Sequence, residues 1–268
     1  MNIGLFGGTF NPVHNGHIRV TSHVKEVFKL DVVYMIPSAI PPHKSTANLA
    51  PAMDRFNMLE TAVKTIDGIE ASDIEVKRSG RSFTIDTIRR FKDIYPCPDK
   101  MFFILGTDAF FDMGTWKETL NVFQTTEIIV MTRPGYEAPS KGVELFLQET
   151  VSPGYRYAGK TIHGQIYKHS GTTGDCSPCP ARYKHSGITG DCSPCPARYK
   201  HSGITGDCSP YPARFRSVHL CKVPDIPVSS TGIRNRIERG ISIKDIVPES
   251  VAAIIMKKGL YFDNGKQT

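Results

Sequence analysis

Two short segments, far apart in the chain, hold residue types suited to gripping an anion. The first runs Gly4-Leu5-Phe6-Gly7-Gly8-Thr9-Phe10-Asn11-Pro12-Val13-His14-Asn15-Gly16-His17. Gly7 and Gly8 lack Cβ atoms, so the backbone there can turn sharply and come close to a phosphate. His14 and His17 are three residues apart, which on a helical turn places both imidazoles on one side. A helix starting at these residues would aim its unpaired N–H groups and its positive dipole end into the same space. The second segment, Ser229-Ser230-Thr231-Gly232-Ile233-Arg234, precedes helical spacing at Ile233 and Ile237. There, hydroxyls and free N–H groups converge on another helix start, and Arg234 adds a forked cation that fits phosphate oxygens. Taken singly, a glycine turn and an N-cap are ordinary. Two anion-binding helix starts in one chain suggest a polyphosphate held for chemistry, with catalysis by positioning and charge stabilisation.

Those segments need a scaffold, and the sequence supplies one. Apolar runs and amphipathic stretches alternate from residue 2 to about residue 133, the pattern of an open parallel sheet with helices on both faces. Strands are expected at 2–6, 31–36, 69–76, 101–105 and 127–132, and a further one at 217–223. Ile18, Val24, Val27 and Phe28 share one helical face, as do Phe56, Leu59, Ala62, Val63 and Ile66. Ile85, Ile88, Phe91 and Ile94 form a third such face, with Thr84 as its expected N-cap, and helices near 231–239 and 248–258 close the chain. Three further residues take positions compatible with function. Lys44 follows two stiffening prolines, Arg133 ends a strand at the carboxyl edge of the sheet, and Trp116 is the single tryptophan. On composition alone, Trp116 reads as core packing.

After Arg133 the pattern fades. Residues 137–216 read as an insertion into a single domain spanning 1–268, and it contains three 16-residue units at 167–214 that begin at Tyr167, Tyr183 and Tyr199. They differ only at Thr172 against Ile188 and Ile204, and at Cys179 and Cys195 against Tyr211. Each unit has too few apolar residues to offset its ordering entropy, so disorder is expected. The pairs Cys176/Cys179 and Cys192/Cys195 have spacing near that of a four-thiolate zinc site. Periodic copying produces that spacing automatically, and Tyr211 has replaced one cysteine of the third unit, so no metal is expected. A metal-binding or partner-binding role for the repeats is the reading from another class.

The net charge of +7 forms no obvious basic patch, and each repeat adds one positive charge. A nucleic-acid partner is therefore not indicated. No run of about 18 apolar residues and no signal-peptide pattern occurs, so the expectation is a cytoplasmic protein with no membrane partner. Five of the seven cysteines lie in the repeats, which leaves no disulfide framework.

The whole motif GGTFNPVHNGH resembles that of the HxGH nucleotidyltransferases, and within them the bacterial nicotinate-nucleotide adenylyltransferases. The resemblance covers residues 1 to about 135 and about 217 to 262. Pro41-Pro42-His43-Lys44 resembles the family's phosphate-contacting loop, and Arg81 to Thr87 is similar to its SYTIDT motif, with Phe83 replacing tyrosine. Gly106-Thr107-Asp108 with Thr115-Trp116-Lys117 resembles its nucleotide and nicotinate segment, and 229–234 its SSTxIR signature.

The resemblance implies a Rossmann-like fold and transfer of AMP from ATP to nicotinate mononucleotide. The acceptor's 5′-phosphate would attack the α-phosphorus, releasing pyrophosphate without a general base. It implies ATP contacts from Gly7, Gly8, Thr9, Phe10, His14, His17, Gly106, Asp108, Ser229, Ser230, Thr231 and Arg234. His43, Lys44, Thr84, Trp116, Lys117 and Arg133 would contact the acceptor, and His14, His17, Lys44 and Arg234 would serve catalysis. Trp116 would stack on the pyridine while N–H groups near Thr84 and Lys117 hold its carboxylate. Mg2+ would arrive with ATP, since the sequence shows no carboxylate cluster to cage it. Phosphopantetheine adenylyltransferases and cytidylyltransferases are the nearest alternatives.

Overall fold

The computed structural model describes residues 1–40, 48–78, 80–96, 98–132, 140–170 and 215–262. Strand β1 (Asn2–Gly8) leads into α1 (Asn15–Val27), β2 (Val32–Pro37) into α2 (Ala52–Val63), and β3 (Ile69–Ala71) into α3 (Thr84–Ile94). Then come β4 (Lys100–Gly106), α4 (Thr107–Asp112), α5 (Thr119–Thr125) and β5 (Glu127–Thr132). They are followed by α6 (Ser140–Thr150), β6 (Tyr155–Thr161), β7 (Gly164–His169), β8 (Val218–Lys222), α7 (Ser230–Glu238) and α8 (Glu249–Lys258).

The strands form one sheet in the order β3-β2-β1-β4-β5-β8-β7-β6. From β3 through β8 every neighbouring pair is parallel, while β7 and β6 are antiparallel additions at one edge. The period of two sorts each central strand between two cores. Ile3, Leu5, Phe103, Leu105, Ile128 and Val130 face one side, packed with Ile85, Ile88 and Phe91 of α3. Phe6, Phe102, Ile104 and Ile129 face the other, against Met58 and Leu59 of α2, Ile233 of α7 and Ile255 of α8. This is the expected Rossmann-like α/β architecture. Strand order reverses between β1 and β4, and in open α/β sheets the crevice at such a point is where ligands bind. Among the described residues no helix is long and apolar enough to cross a membrane.

Three sequence expectations need correction. The strand expected over 69–76 ends at Ala71, and a turn at 74–76 carries Glu75 inward. Thr84 does not cap α3; Phe83 does, with no side-chain cap bond, so Thr84 is the first helical residue. Residues 140–170, read as part of the insertion, are ordered elements of the sheet. Helix α6 buries Val143 and Leu147, with Val151 just beyond its end continuing the interval of four, and β6 and β7 turn at Ile162 and His163. These were hidden because β6, the edge strand, and its neighbour β7 have few apolar residues. Their anchoring rests on two fully buried tyrosines, Tyr155 and Tyr167, and on the Tyr155 hydroxyl donating to the Arg216 carbonyl at 2.7 Å.

The first repeat thus begins inside β7. The rest of the repeats, 171–214, lies outside the described residues, as do the expectations of disorder and of zinc at Cys176, Cys179, Cys192 and Cys195. Where that stretch leaves and re-enters the fold is described. His169 ends β7, Phe215 precedes β8, and their rings are 4.9 Å apart. β7 runs antiparallel to β8, so both points lie at the amino edge of the parallel strands.

Candidate functional site

Gly7 and Gly8 do not themselves turn: they are the last two residues of β1, paired with Ile36 and Pro37, and the glycine turn follows them at residues 9–13, at the opposite, carboxyl edge. His14 is the N-cap of α1 and His17 is its third helical residue, and the two histidines cap each other. The His17 N–H donates to His14 Nδ1 at 3.3 Å, and the His14 N–H donates to His17 Nδ1 at 3.3 Å. Each Nδ1 is therefore an acceptor, which leaves Nε2–H as the donor of each ring. The rings stack at 3.7 Å between centroids, and Phe10 meets His17 edge-on at 5.1 Å. Burial pushes the His14 imidazole down to about 4, so near neutral pH it is an uncharged Nε2–H donor. Gly16 makes this seating possible: a Cβ there would lie 2.8 Å from His14 Nδ1 and 2.9 Å from Ile226 Cγ2. No acidic residue occupies the first turn of α1, which leaves its dipole end unopposed.

Helix α7 starts against the same loop. Ser229 caps it by accepting from the Gly232 N–H at 3.1 Å. The Ser230 hydroxyl donates to the Pro12 carbonyl at 2.9 Å, and Arg234 Nη1 donates to the Asn11 carbonyl at 2.8 Å. Arg234 Nη2 also donates to Thr231 Oγ1 at 3.2 Å. The two segments singled out by sequence, more than two hundred residues apart, are thus bolted together through Asn11 and Pro12. The Ser230 hydroxyl proton is committed to this joint, whereas Ser229 Oγ accepts within α7 and keeps its own proton, so the second helix start offers an anion N–H groups, the Ser229 hydroxyl and the remaining guanidinium donors.

Beside the glycine turn a pocket of about 220 Å³ opens between β1, β4 and α3, with Gly8, Thr84, Gly106, Trp116 and Lys117 in its wall. Trp116 is half-buried and meets Phe103 edge-on at 6.0 Å, which leaves its core-packing role incomplete. Because α3 begins without a side-chain cap, its first N–H groups open toward this pocket and can receive an anion. The Lys117 ammonium does not enter as a free cation. It bridges both Asp86 carboxylate oxygens at 3.1 Å and lies 5.0 Å from the Phe83 ring centroid. Gly106 ends β4 and caps α4, and Asp108, in the first turn of α4, is exposed.

His43, Lys44 and Arg133 lie outside the described residues. The structure adds four residues that sequence reading passed over. Glu75 lines the pocket, buried, and accepts from Thr87 Oγ1 at 2.6 Å; burial pushes its carboxyl up, against the hydrogen bonds from Thr87 and Ser82. The other three are Asn11, Arg55 and Tyr261. Asn11 Oδ1 accepts from the Ala50 N–H at 3.0 Å and the Tyr261 hydroxyl at 2.8 Å. No local pattern could have revealed them: Arg55 and Asn11 bind backbone groups that no residue type marks, and the partner of Tyr261 is Asn11, 250 residues away. A second cavity, of about 750 Å³, lies between the end of α7 and α8 and shares only Asn15 with the glycine–histidine segment.

Residues 5–236 match the family model described as cytidylyltransferase-like. A protein of Desulfatibacillum aliphaticivorans named as a probable nicotinate-nucleotide adenylyltransferase is 32% identical over 264 residues, covering 97% of this chain and 100% of that protein. A Citrifermentans bemidjiense protein of the same name is 42% identical over 135 residues, which span 50% of this chain and 62% of that one. Among solved structures, the Plasmodium falciparum nicotinic acid mononucleotide adenylyltransferase complexed with NaAD is similar at a TM-score of 0.60, with 16% identity and 97% of each chain covered. The last likeness is one of fold.

Proposed function

The chain belongs to the cytidylyltransferase-like family, among its nicotinate-nucleotide adenylyltransferases, and we propose how its own residues carry out that reaction. It is a nucleotidyltransferase that moves AMP from ATP to nicotinate mononucleotide, giving nicotinate adenine dinucleotide and pyrophosphate, a step of NAD biosynthesis. The acceptor phosphate is already anionic near neutral pH and attacks the α-phosphorus directly. The P–O bond to the pyrophosphate breaks as the new one forms, and no general base is needed. Catalysis then consists of holding the reactants in line and stabilising charge on the equatorial and leaving oxygens.

The Nε2–H groups of His14 and His17 donate to α- and β-phosphate oxygens over the start of α1. Arg234 and Lys44 take the leaving pyrophosphate. Gly7, Gly8, Thr9 and Phe10 let the triphosphate approach the backbone, and Gly106 and Asp108 face the adenosine. On the acceptor side, Trp116 stacks on the pyridine, the N–H groups at Thr84 and Lys117 receive the carboxylate, and His43 and Arg133 complete the contacts. Mg2+ would arrive with ATP and be held by its phosphates. The whole chain acts as one domain, and the described ends of the stretch 171–214, His169 and Phe215, lie at the amino edge of the sheet, opposite this site.

One observation carries the residue assignments. The β1–α1 connection is shared: its Asn11 and Pro12 carbonyls hold the start of α7, it leads into the histidine-capped start of α1, and its Gly7, Gly8 and Thr9 line the pocket that contains Trp116 and Thr84 at the start of α3. The test is pyrophosphate release with nicotinate mononucleotide, nicotinamide mononucleotide and phosphopantetheine. The acid should be preferred over the amide by at least about ten-fold in kcat/KM, since donors placed for an anion lose charge-assisted bonds to an amide. Equal turnover of the amide, or preference for phosphopantetheine, refutes the acceptor assignment.

A further inference from the structure

Among the described residues Arg55 is the largest side chain with no solvent exposure, and its surroundings are unusual for a buried cation. Its three nitrogens reach three separate stretches of backbone. Nε donates to the Ala50 carbonyl at 2.9 Å, Nη1 to the Thr9 carbonyl at 2.8 Å and Nη2 to the Ala39 carbonyl at 3.1 Å. Thr9 belongs to the glycine turn, and Ala39 and Ala50 flank the stretch on either side of 41–47. Asn11 repeats the tie from the turn's side: its Oδ1 accepts from the Ala50 N–H, and its Nδ2 donates to the Asn48 carbonyl at 2.9 Å. A planar fork matches three carbonyls in a way that an ammonium cannot.

What is missing is a counter-ion. Among the described residues no carboxylate lies within ion-pair distance of Arg55, and the adjacent Asp54 is taken by Lys258. Burial works against the Arg55 charge, and the nearby acidic group, the Tyr261 hydroxyl, is itself pushed up by burial and stays protonated, donating to Asn11 Oδ1. An unpaired buried charge is costly to keep, and a structural tie alone could be made by a neutral side chain. The charge sits directly beneath the turn over which a polyphosphate would lie.

We propose that Arg55 is a positioning residue of the nucleotide site: its guanidinium fixes the β1–α1 turn against both flanks of 41–47, and its counter-ion is the bound polyphosphate. This rests on the reading of the site as an ATP site. The geometry predicts separable roles for charge and shape. Arg55→Lys keeps the charge and loses the fork, whereas Arg55→Met loses both.

Full-length wild type, Arg55→Lys and Arg55→Met are compared by calorimetric titration with ATP in the absence of acceptor, and by kcat and KM. The Lys variant should bind ATP within about three-fold of wild type while its kcat falls on the order of ten-fold. The Met variant should show the same fall in kcat together with ATP affinity weakened on the order of ten-fold, as expected for removing one nearby charge from a partly screened site. A folded Met variant with wild-type affinity overturns the counter-ion role, and a Lys variant with undiminished kcat overturns the positioning role. Should the Met variant fail to fold, the ¹⁵Nε resonance of Arg55 in the wild type decides: it must shift on saturation with ATP, and an unmoved resonance overturns the proposal. A wild type that binds ATP but does not turn over nicotinate mononucleotide would refute the acceptor assignment and leave these affinity comparisons standing.

Discussion

His14 makes the acid stability of this protein calculable. Its ring is 6% exposed, stacked on His17, and its Nδ1 accepts the His17 N–H as the cap of α1. Protonation would put a second N–H against that donor and bury a charge. Burial accordingly brings the group from 6.5 down to about 4. In the unfolded chain the same imidazole titrates near its ordinary value. Above about pH 7 both states are neutral there and the group adds no pH dependence. As the pH falls from 6.5 toward about 4, the unfolded state takes up a proton that the native state refuses, and stability is lost across that window. The displacement of roughly two and a half units corresponds to about 3 kcal/mol, a large part of the stability of an ordinary domain. Below the native value the loss levels off. The assay is urea unfolding at half-unit steps of pH, in wild type and in His14→Asn, whose amide oxygen can still cap α1. The wild type should lose about 3 kcal/mol more than the variant between pH 7 and pH 4. Parallel curves, or a His14 Cε1 resonance titrating near 6.5, would refute the reasoning.

Other substitutions test the site piece by piece. Gly16→Ala places a Cβ 2.8 Å from His14 Nδ1, so the ring must shift; kcat should fall at least about ten-fold, with about 1–3 kcal/mol of stability lost in denaturant melts. His17→Ala should leave a folded protein with turnover down on the order of 10²-fold to 10³-fold, and near wild-type turnover would remove His17 from the phosphate site. Replacing 171–214 by a short glycine–serine linker should leave kcat and KM within about two-fold, because the rings at its two ends are 4.9 Å apart and closing a short surface loop there costs little. Loss of activity on that deletion would show that the repeats reach the site.

What could be read without coordinates divides along the range of the interactions involved. Strands β1, β4 and β5 were legible because both faces are buried and the apolar run is unbroken, as in Met101 to Leu105. α1 to α3 were legible because their apolar residues keep a period near 3.6. The histidine pair was legible because its partners lie three residues away. β6 and β7 were not, since an antiparallel edge held by Tyr155 and Tyr167 carries little periodic signal. The end of β3 was missed because apolar spacing continues through Ile74 and Val76 after the chain has turned to bury Glu75. Arg55 was missed for a stronger reason: all three of its acceptors are backbone carbonyls, so no residue type marks them.

The serine signature shows how a correct motif can misstate the work of its parts. Read from sequence, the hydroxyls of Ser229 and Ser230 face a phosphate. In the fold, one caps α7 and the other grips the Pro12 carbonyl, so their first task is to fasten α7 to the glycine turn. What then remains at the crevice is a set of N–H donors from helix starts, the Ser229 hydroxyl proton and two imidazole Nε2–H groups, together with Arg234 at the surface and Arg55 beneath. Most of these donors are fixed by backbone geometry before any ligand arrives, and fixed dipoles need no reorganisation as charge moves from the α-phosphorus to the leaving oxygens. It follows that Ser230→Ala should act through α7 and not through a lost phosphate bond. The Pro12 tie breaks, Arg234 loses its registration on Asn11, and kcat falls while thermal stability drops with it. A fall in kcat at unchanged stability would instead restore the hydroxyl to the phosphate.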